Sequence, residues 1–124
     1  EQGVELVLTA LSDPSFGNIY VKKIPSMNIV DIAETVAPLA KKKIIGIRAG
    51  EKLHEQMIGA EDANFTYDCG EHYVIVPGNF DWYDKALYAP DIKKVPELFT
   101  YSSDDNAMWM SRSTLQNFLK TNWS

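Results

Sequence analysis

Thiol and imidazole side chains are scarce in this sequence, and their scarcity limits its metal and redox chemistry. One cysteine, Cys69, and two histidines, His54 and His72, are present, so an intramolecular disulfide and a cysteine-based zinc site are excluded. The histidines are far apart in the sequence and lack the spacing of a metal-binding pair. We therefore predict no metal ligand, a solvated His54, and a structural Cys69 without an activating neighbour.

The sequence also lacks an excess of basic residues, and it lacks long apolar runs. Lysine and arginine number 12 against 17 aspartates and glutamates, for a net charge of −5, which disfavours nucleic acid as the main partner. No apolar run approaches the roughly 18 residues of a membrane span, and no signal-peptide pattern opens the chain. With 45% hydrophobic residues among 124, we expect one globular domain in a reducing cytosol.

The glycine fingerprint of a dinucleotide-binding domain is the third absence. Gly46 and Gly50 lack the third glycine that the fingerprint requires, so no cofactor-binding residue is predicted. No catalytic residue is predicted either, because Glu51 and Glu55, four residues apart, are more simply a polar helix face than an acid–base pair. The chain opens on an uncapped amphipathic helix, and we expect residues 1–124 to be one lobe truncated at its N-terminal side.

Periodicity and turn residues predict a mixture of helices and strands. Helices are predicted over about 1–12, 29–37 and 51–58 and from 113 onward, with strands over 19–21, 44–47 and 72–76. Asn28 is expected to cap the second helix, and Ser113 with Gln116 the last one, whose inward residues would be Leu115, Phe118 and Leu119. Residues 79–94 read as an ordered aromatic loop. This order indicates an α/β or α+β fragment with too few strands for a complete doubly wound sheet.

The stretch IIGIRAGEKLHE, residues 44–55, offers the most specific chemistry. We predict a strand that ends at Arg48, a glycine turn, and a helix that begins at Glu51. Arginine binds phosphate oxygens through a planar fork of donors, and a helix start adds unpaired N–H groups. A carboxylate at Glu51 suits sugar hydroxyls, so the stretch is interpreted as half of a pocket for a diphosphate-linked sugar. The alternative is a strand end with a solvated arginine.

Four stretches and Pro38 carry a family resemblance; the stretches are VKKIPSM at 21–27, DIA at 31–33, KIIGIRAGEKLHE at 43–55 and FTYSS at 99–103. With them the chain resembles the C-terminal part of the inverting UDP-N-acetylglucosamine 4,6-dehydratases, extended short-chain dehydrogenase/reductases of the polysaccharide biosynthesis protein family. The GIRAGEKLHE stretch is shared with other nucleotide-sugar dehydratases and epimerases, whereas KKIPSM favours the inverting branch.

The resemblance implies a substrate-binding lobe for UDP-N-acetylglucosamine, with Arg48 on the diphosphate and Glu51 on the ribose. The Rossmann domain, its NADP and the catalytic residues would lie outside this sequence, so the fragment alone would be inactive. The parent would be a cytoplasmic, homo-oligomeric lyase of pseudaminic acid synthesis and flagellin glycosylation. Ala49 stands where a proline is common in the family, and Asp105 where an asparagine is more frequent.

Two alternatives stay open from the sequence. One is the lobe of a related UDP-sugar epimerase or retaining dehydratase, which the product's stereochemistry would distinguish. The other is a non-catalytic interaction module, which predicts a closed apolar surface, whereas a lobe of a larger enzyme predicts an exposed apolar face.

Overall fold

The structure, a computed structural model, describes residues 2–14, 17–78 and 92–122. Those residues form three α-helices, six short strands and one 3-10 turn: α1 (Gln2–Ser12), β1 (Ile19–Lys22), α2 (Ile29–Val36), β2 (Gln56–Ile58), the 3-10 turn (Ala63–Phe65), β3 (Thr66–Asp68), β4 (His72–Ile75), β5 (Lys93–Lys94), β6 (Tyr101–Ser102) and α3 (Arg112–Asn122). The chain divides into two compact units. Unit 1 comprises Glu1–Lys23 and Gln56–Tyr101, and unit 2 comprises Ile24–Glu55 and Ser102–Ser124.

An antiparallel sheet in the order β1-β4-β3-β5 organises unit 1. Successive residues of a strand point to opposite faces, and the neighbours Val74 and Ile75 belong to different apolar clusters. The Ile75 cluster also contains Val21, Ile58 and Tyr101, and the Val74 cluster contains Val76 with Tyr20, Tyr67, Cys69 and Ile92 packed against it. Side chains therefore cover both faces of the sheet. A second sheet contains two strands, β2 and β6.

Helices α2 and α3 make up most of the regular structure of unit 2. Asn28 caps α2, because its Oδ1 accepts a hydrogen bond of 2.9 Å from the Val30 N–H. The guanidinium of Arg112 on α3 joins two carboxylates of α2, donating from Nε to Asp31 at 2.8 Å and pairing with Glu34. Neither helix has a buried residue among those described. Polar contacts therefore connect the two helices.

The mixed helix-and-sheet fold that the sequence predicts is confirmed. Helices α1 and α2, the cap at Asn28, and strands β1 and β4 all lie where they were predicted. Strands β3, β5 and β6 were not predicted, because a run of two or three residues is too short to show a period. Within the predicted loop 79–94, residues 79–91 lie outside the described residues, and Lys93–Lys94 forms β5.

The predicted strand 44–47 and helix 51–58 are wrong. Residues 41–55 form neither a helix nor a strand, and 41–57 are all exposed. Gly46 has φ +78°, a left-handed conformation that interrupts an extended strand. Gln56–Ile58 instead forms β2, and Ile58 is fully buried in the core, so tertiary burial overrides the local helical spacing.

The start of α3 also differs from the prediction. Ser111, rather than Ser113, precedes the helix, and its Oγ accepts a hydrogen bond of 3.2 Å from the Thr114 N–H. Phe118 was predicted to face inward, but it is 54% exposed. Leu115 and Leu119 are half-buried, so only part of the predicted apolar face is covered.

Candidate functional site

Residues 48–51 form a tight turn, here called the Arg48 turn. The Glu51 N–H donates to the Arg48 carbonyl oxygen at 3.1 Å, and the Arg48 N–H donates to Glu51 Oε2 at 2.9 Å. Gly50, at the third position, has φ +88°, the left-handed value that a type II turn requires there. The predicted helix N-terminus at this point is therefore wrong, and no helix start contributes donors to the turn.

The Arg48 guanidinium extends from this turn into solvent. Its Nε lies 3.5 Å from Glu51 Oε1, and the Arg48 and Glu51 side chains are 74% and 49% exposed. The carboxylate of Glu51 therefore holds both the backbone and the base of the guanidinium of Arg48. The ion pair is made through Nε and the side chain is largely exposed, which leaves room for an anion at the terminal nitrogens.

An open hollow of about 410 Å³ lies beside the turn, lined by Ile47, Gly50, Glu51, Lys52 and Glu55. Arg48 lies within the same stretch of sequence, although it is not one of the lining residues. Lys52 offers an ammonium group to an anion, whereas Glu51 and Glu55 offer carboxylates to hydroxyl groups. The lining therefore carries one cationic and two anionic side chains. The individual roles of Arg48 and Glu51 stay predictions.

Lys23 and Asp68 form a half-buried polar cluster in unit 1. Lys23 Nζ lies 2.6 Å from Asp68 Oδ1 and 4.5 Å from the centroid of the Tyr73 ring. Burial alone would raise the pKa of Asp68, but the hydrogen bonds from Lys23 and from the Gly70 N–H hold it below its usual value. Asp68 is therefore used inside the fold rather than offered to a ligand.

The side chains of residues 101–103 are also engaged within the chain. Tyr101 is 6% exposed and packs in the core of unit 1. Ser102 donates to Asp104, and Ser103 is hydrogen-bonded to Glu55 through both its backbone and its side chain. The sequence shows these residues as a hydroxyl-rich loop, but only the structure shows which partners they have.

Asn106 is a structural residue that the sequence reasoning missed. Its Nδ2 donates to the Ile24 carbonyl oxygen at 2.8 Å and to Ser26 Oγ at 3.0 Å, and its Oδ1 accepts from the Met108 N–H at 3.0 Å. The amide thus fastens the segment after β1 to the segment before α3 within unit 2. The only sequence signal for this role was an amide side chain, with its donors and its acceptor, in a stretch rich in turn-forming residues.

The histidines and the cysteine have no shared site. His54 is exposed, as predicted. Burial lowers the pKa of His72, and the charges of Lys22 and Lys23 lower it further. Burial and the nearby Asp68 raise the pKa of the Cys69 thiol, in agreement with a structural thiol.

Neither a metal-binding cluster nor a membrane-crossing helix occurs in the described part of the chain. No three His, Cys, Asp or Glu side chains come together there in an arrangement that could hold an ion. None of the helices in 2–14, 17–78 and 92–122 has the length and hydropathy that crossing a bilayer requires.

Comparisons with known proteins agree with the resemblance seen in the motifs. The family described as "Polysaccharide biosynthesis protein" matches residues 1–77. A Campylobacter jejuni protein named UDP-N-acetylglucosamine 4,6-dehydratase (inverting) is 44% identical over 121 residues, covering 93% of this chain and 36% of its own length. A Rickettsia canadensis protein named UDP-glucose 4-epimerase is 34% identical over 104 residues, covering 81% of this chain and 30% of its own length.

The fold also has a counterpart among solved structures. Pen from Bacillus thuringiensis superimposes with a TM-score of 0.78 at 19% identity, over 97% of this chain and 36% of that one. At that identity the likeness shows the fold alone. The chain spans little more than a third of the length of the Campylobacter jejuni relative, so it corresponds to one part of that relative.

Proposed function

We propose, from the premise that this chain belongs to the polysaccharide biosynthesis protein family, that it is the substrate-binding part of an inverting UDP-N-acetylglucosamine 4,6-dehydratase. The observation that carries the proposal is the 44% identity to the Campylobacter jejuni dehydratase over 93% of this chain. The identity to the Rickettsia canadensis epimerase is lower, 34% over 81% of the chain, and an epimerase lobe is the weaker alternative.

In this proposal the Arg48 turn binds the UDP moiety. The guanidinium of Arg48 takes the diphosphate oxygens, supported by its 74% exposure beside the hollow. Glu51 binds the ribose hydroxyls. A carboxylate has about four acceptor positions, so Glu51 can hold the Arg48 N–H and still accept from a ligand. Both side chains thus bind and orient the substrate, and neither takes part in the chemical step.

The rest of the reaction belongs to residues outside this sequence. The dehydratase removes water between C4 and C6 of the sugar and inverts C5, and NADP supplies the chemistry of accepting and returning a hydride. No residue of this chain is proposed to hold that cofactor, because the sequence lacks the glycine fingerprint. We further propose a cytoplasmic homo-oligomer acting in pseudaminic acid synthesis and flagellin glycosylation, and an inactive isolated chain.

The exposed apolar side chains argue against a freestanding interaction module with a closed surface. On α1, Val4, Val7, Leu8 and Leu11 are 57–77% exposed, and Ile44 of the irregular segment is 97% exposed. A folded domain that works alone rarely leaves so many large apolar side chains in water. Their exposure supports a lobe that packs against further protein.

A chimera tests the proposed function directly. This chain replaces the corresponding part of the Campylobacter jejuni dehydratase, and the chimera is incubated with UDP-N-acetylglucosamine and NADP while NMR follows the sugar ring. We expect a dehydrated product with inverted C5. The matched control is the same chimera with Arg48→Ala, which should convert the sugar only at much higher substrate concentration.

Other products would contradict the proposal in distinct ways. Retained configuration at C5 would assign the lobe to a retaining dehydratase, and a C4 epimer without loss of water would assign it to an epimerase. A chimera that melts cooperatively and binds NADP, yet converts no UDP-sugar, would overturn the assignment of substrate binding to this chain.

A further inference from the structure

Few polar contacts hold the segment that carries the Arg48 turn. Residues 41–55, called the Arg48 segment, lack helix and strand, and each of them is exposed. Within the described residues, hydrogen bonds and ion pairs attach this segment to the rest of unit 2 at two points. Near its start, Lys42 Nζ lies 3.3 Å from Glu34 Oε1, and at its end Glu55 meets Ser103. The position of the turn within unit 2 therefore depends on these few attachments.

The attachment at Ser103 is the more specific of the two. The Ser103 N–H donates to the Glu55 carbonyl oxygen at 2.8 Å, and the Glu55 N–H donates to Ser103 Oγ at 3.0 Å. Two bonds between the same pair of residues fix direction as well as distance, whereas a flexible lysine ion pair fixes neither. Ser103 is half-buried while Glu55 is exposed, so Ser103 is the anchored partner.

Ser103 is hydrogen-bonded to one of the residues that line the hollow. Glu55 lines the hollow together with Glu51, and Glu51 in turn holds the Arg48 backbone and guanidinium. We propose that Ser103 is a positioning residue, which holds the Arg48 turn in the geometry that binds a nucleoside diphosphate. This inference rests on the proposed function, because it takes Arg48 as the group that binds the diphosphate.

The Ser103 hydroxyl is not proposed to contact the ligand, but its removal should still weaken ligand binding. Without Oγ the Glu55 N–H loses its acceptor, and the end of the Arg48 segment gains freedom that binding must then remove. Losing a single hydrogen bond of this kind costs about 0.7–1.4 kcal/mol, which corresponds to a roughly threefold to tenfold loss of affinity.

The test titrates UDP into the chimera with the Campylobacter jejuni dehydratase, described above, by isothermal calorimetry. We expect Ser103→Ala to raise the dissociation constant of UDP about threefold to tenfold, and Ser103→Thr, which keeps a hydroxyl, to restore it to within about twofold. The matched control is Ser102→Ala, because the Ser102 hydroxyl donates to Asp104 and not to the Arg48 segment. In turnover of the UDP-sugar, KM should rise in Ser103→Ala while kcat stays within about twofold.

A double substitution separates positioning from a general structural role. If Ser103 acts through Arg48, adding Ser103→Ala to Arg48→Ala should cost less than about twofold further. A Ser103→Ala penalty that persists in full without Arg48 would overturn the inference, as would a Ser103→Ala protein that binds UDP no worse than Ser102→Ala. Failure of the proposed function looks different: the unsubstituted protein would not bind UDP, or Arg48→Ala would bind it unchanged.

Discussion

Two isoleucines show how differently the two regions of this protein are built. Ile58, in β2 of unit 1, is fully buried, whereas Ile44, in the Arg48 segment of unit 2, is 97% exposed. The first sits among Val21, Ile75 and Tyr101, and the second lies in a stretch without helix or strand. The same side chain therefore contributes to stability in one region and contributes little in the other.

The contrast shows where stability and ligand binding are placed. Unit 1 is held by strand ladders and by apolar clusters on both faces of its sheet. The Arg48 segment is held by a turn, an ion pair and the two hydrogen bonds with Ser103. Such a segment keeps its polar groups open to a ligand, at the cost of low local stability.

The largest effect is expected from truncating the buried isoleucine. Ile58→Ala should lower the free energy of unfolding by about 2–5 kcal/mol, because it leaves a cavity in a filled core. The same substitution at Ile44 should change it by less than about 0.5 kcal/mol. Urea unfolding followed by circular dichroism measures both. Equal losses at the two positions would mean that the Arg48 segment is packed rather than exposed.

The next effect concerns binding rather than folding. Arg48→Ala should weaken UDP binding by about 1.5–3 kcal/mol, or roughly 10- to 150-fold, because a charge-assisted hydrogen bond to phosphate is lost. Arg48→Lys keeps the charge but not the planar fork, so it should lie between Arg48→Ala and the unsubstituted protein. Calorimetry measures affinity, and a melting curve should show no loss of stability.

A smaller effect tests the start of α3. Ser111→Ala removes the hydroxyl that accepts from the Thr114 N–H, so it should cost about 1 kcal/mol of unfolding free energy. Ser113→Ala, at the position that the sequence favoured as the cap, should cost less. Chemical unfolding of the two variants decides between them, and a larger loss in Ser113→Ala would restore the original prediction.

The smallest effect is the pH dependence of the Lys23–Asp68 pair. Because the folded pKa of Asp68 lies below its ordinary value of 3.8, the unfolded chain binds more protons between the two values. The pair's contribution is therefore present above pH 3.8 and is lost as the pH falls through the folded pKa. The stability difference between the unsubstituted protein and Asp68→Asn should shrink below pH 3.8 in urea unfolding at several pH values.

A matched control for that prediction is Glu71→Gln. Glu71 pairs with Lys22 at 3.6 Å and is 89% exposed, so its removal should change stability by less than about 0.5 kcal/mol near neutral pH. An Asp68→Asn difference that stays constant or grows toward acid would contradict the pKa argument.

Local signals predicted the elements that depend on local physics. Helix α2 shows an apolar period and a capping asparagine, and both are features of a few neighbouring residues. The apolar run 44–47 looked like a strand by the same criteria, yet a strand also needs a hydrogen-bonded neighbour, and no described strand pairs with it. Pairing is a long-range property, so the sequence could not decide it.

The sequence likewise predicted one part of the candidate site correctly and another part wrongly. Sequence singled out Arg48 and Glu51, and the structure brings them together in one turn, since residues three apart with a glycine between them close a turn locally. The helix predicted to begin at Glu51 was wrong. Its last predicted residues, Gln56–Ile58, form strand β2 instead, because Ile58 is buried in the core.

The sequence by itself determined the family motifs, the helices α1 and α2, and the Arg48–Glu51 pair. Each of these depends on neighbours within a few residues or on residue identity. Tertiary structure alone decided that residues 41–55 form an exposed irregular segment. It also decided that Ser103 is hydrogen-bonded to the end of that segment and that Asp68 pairs with Lys23. These contacts join residues that are distant in the chain, and only folding determines which polar groups meet.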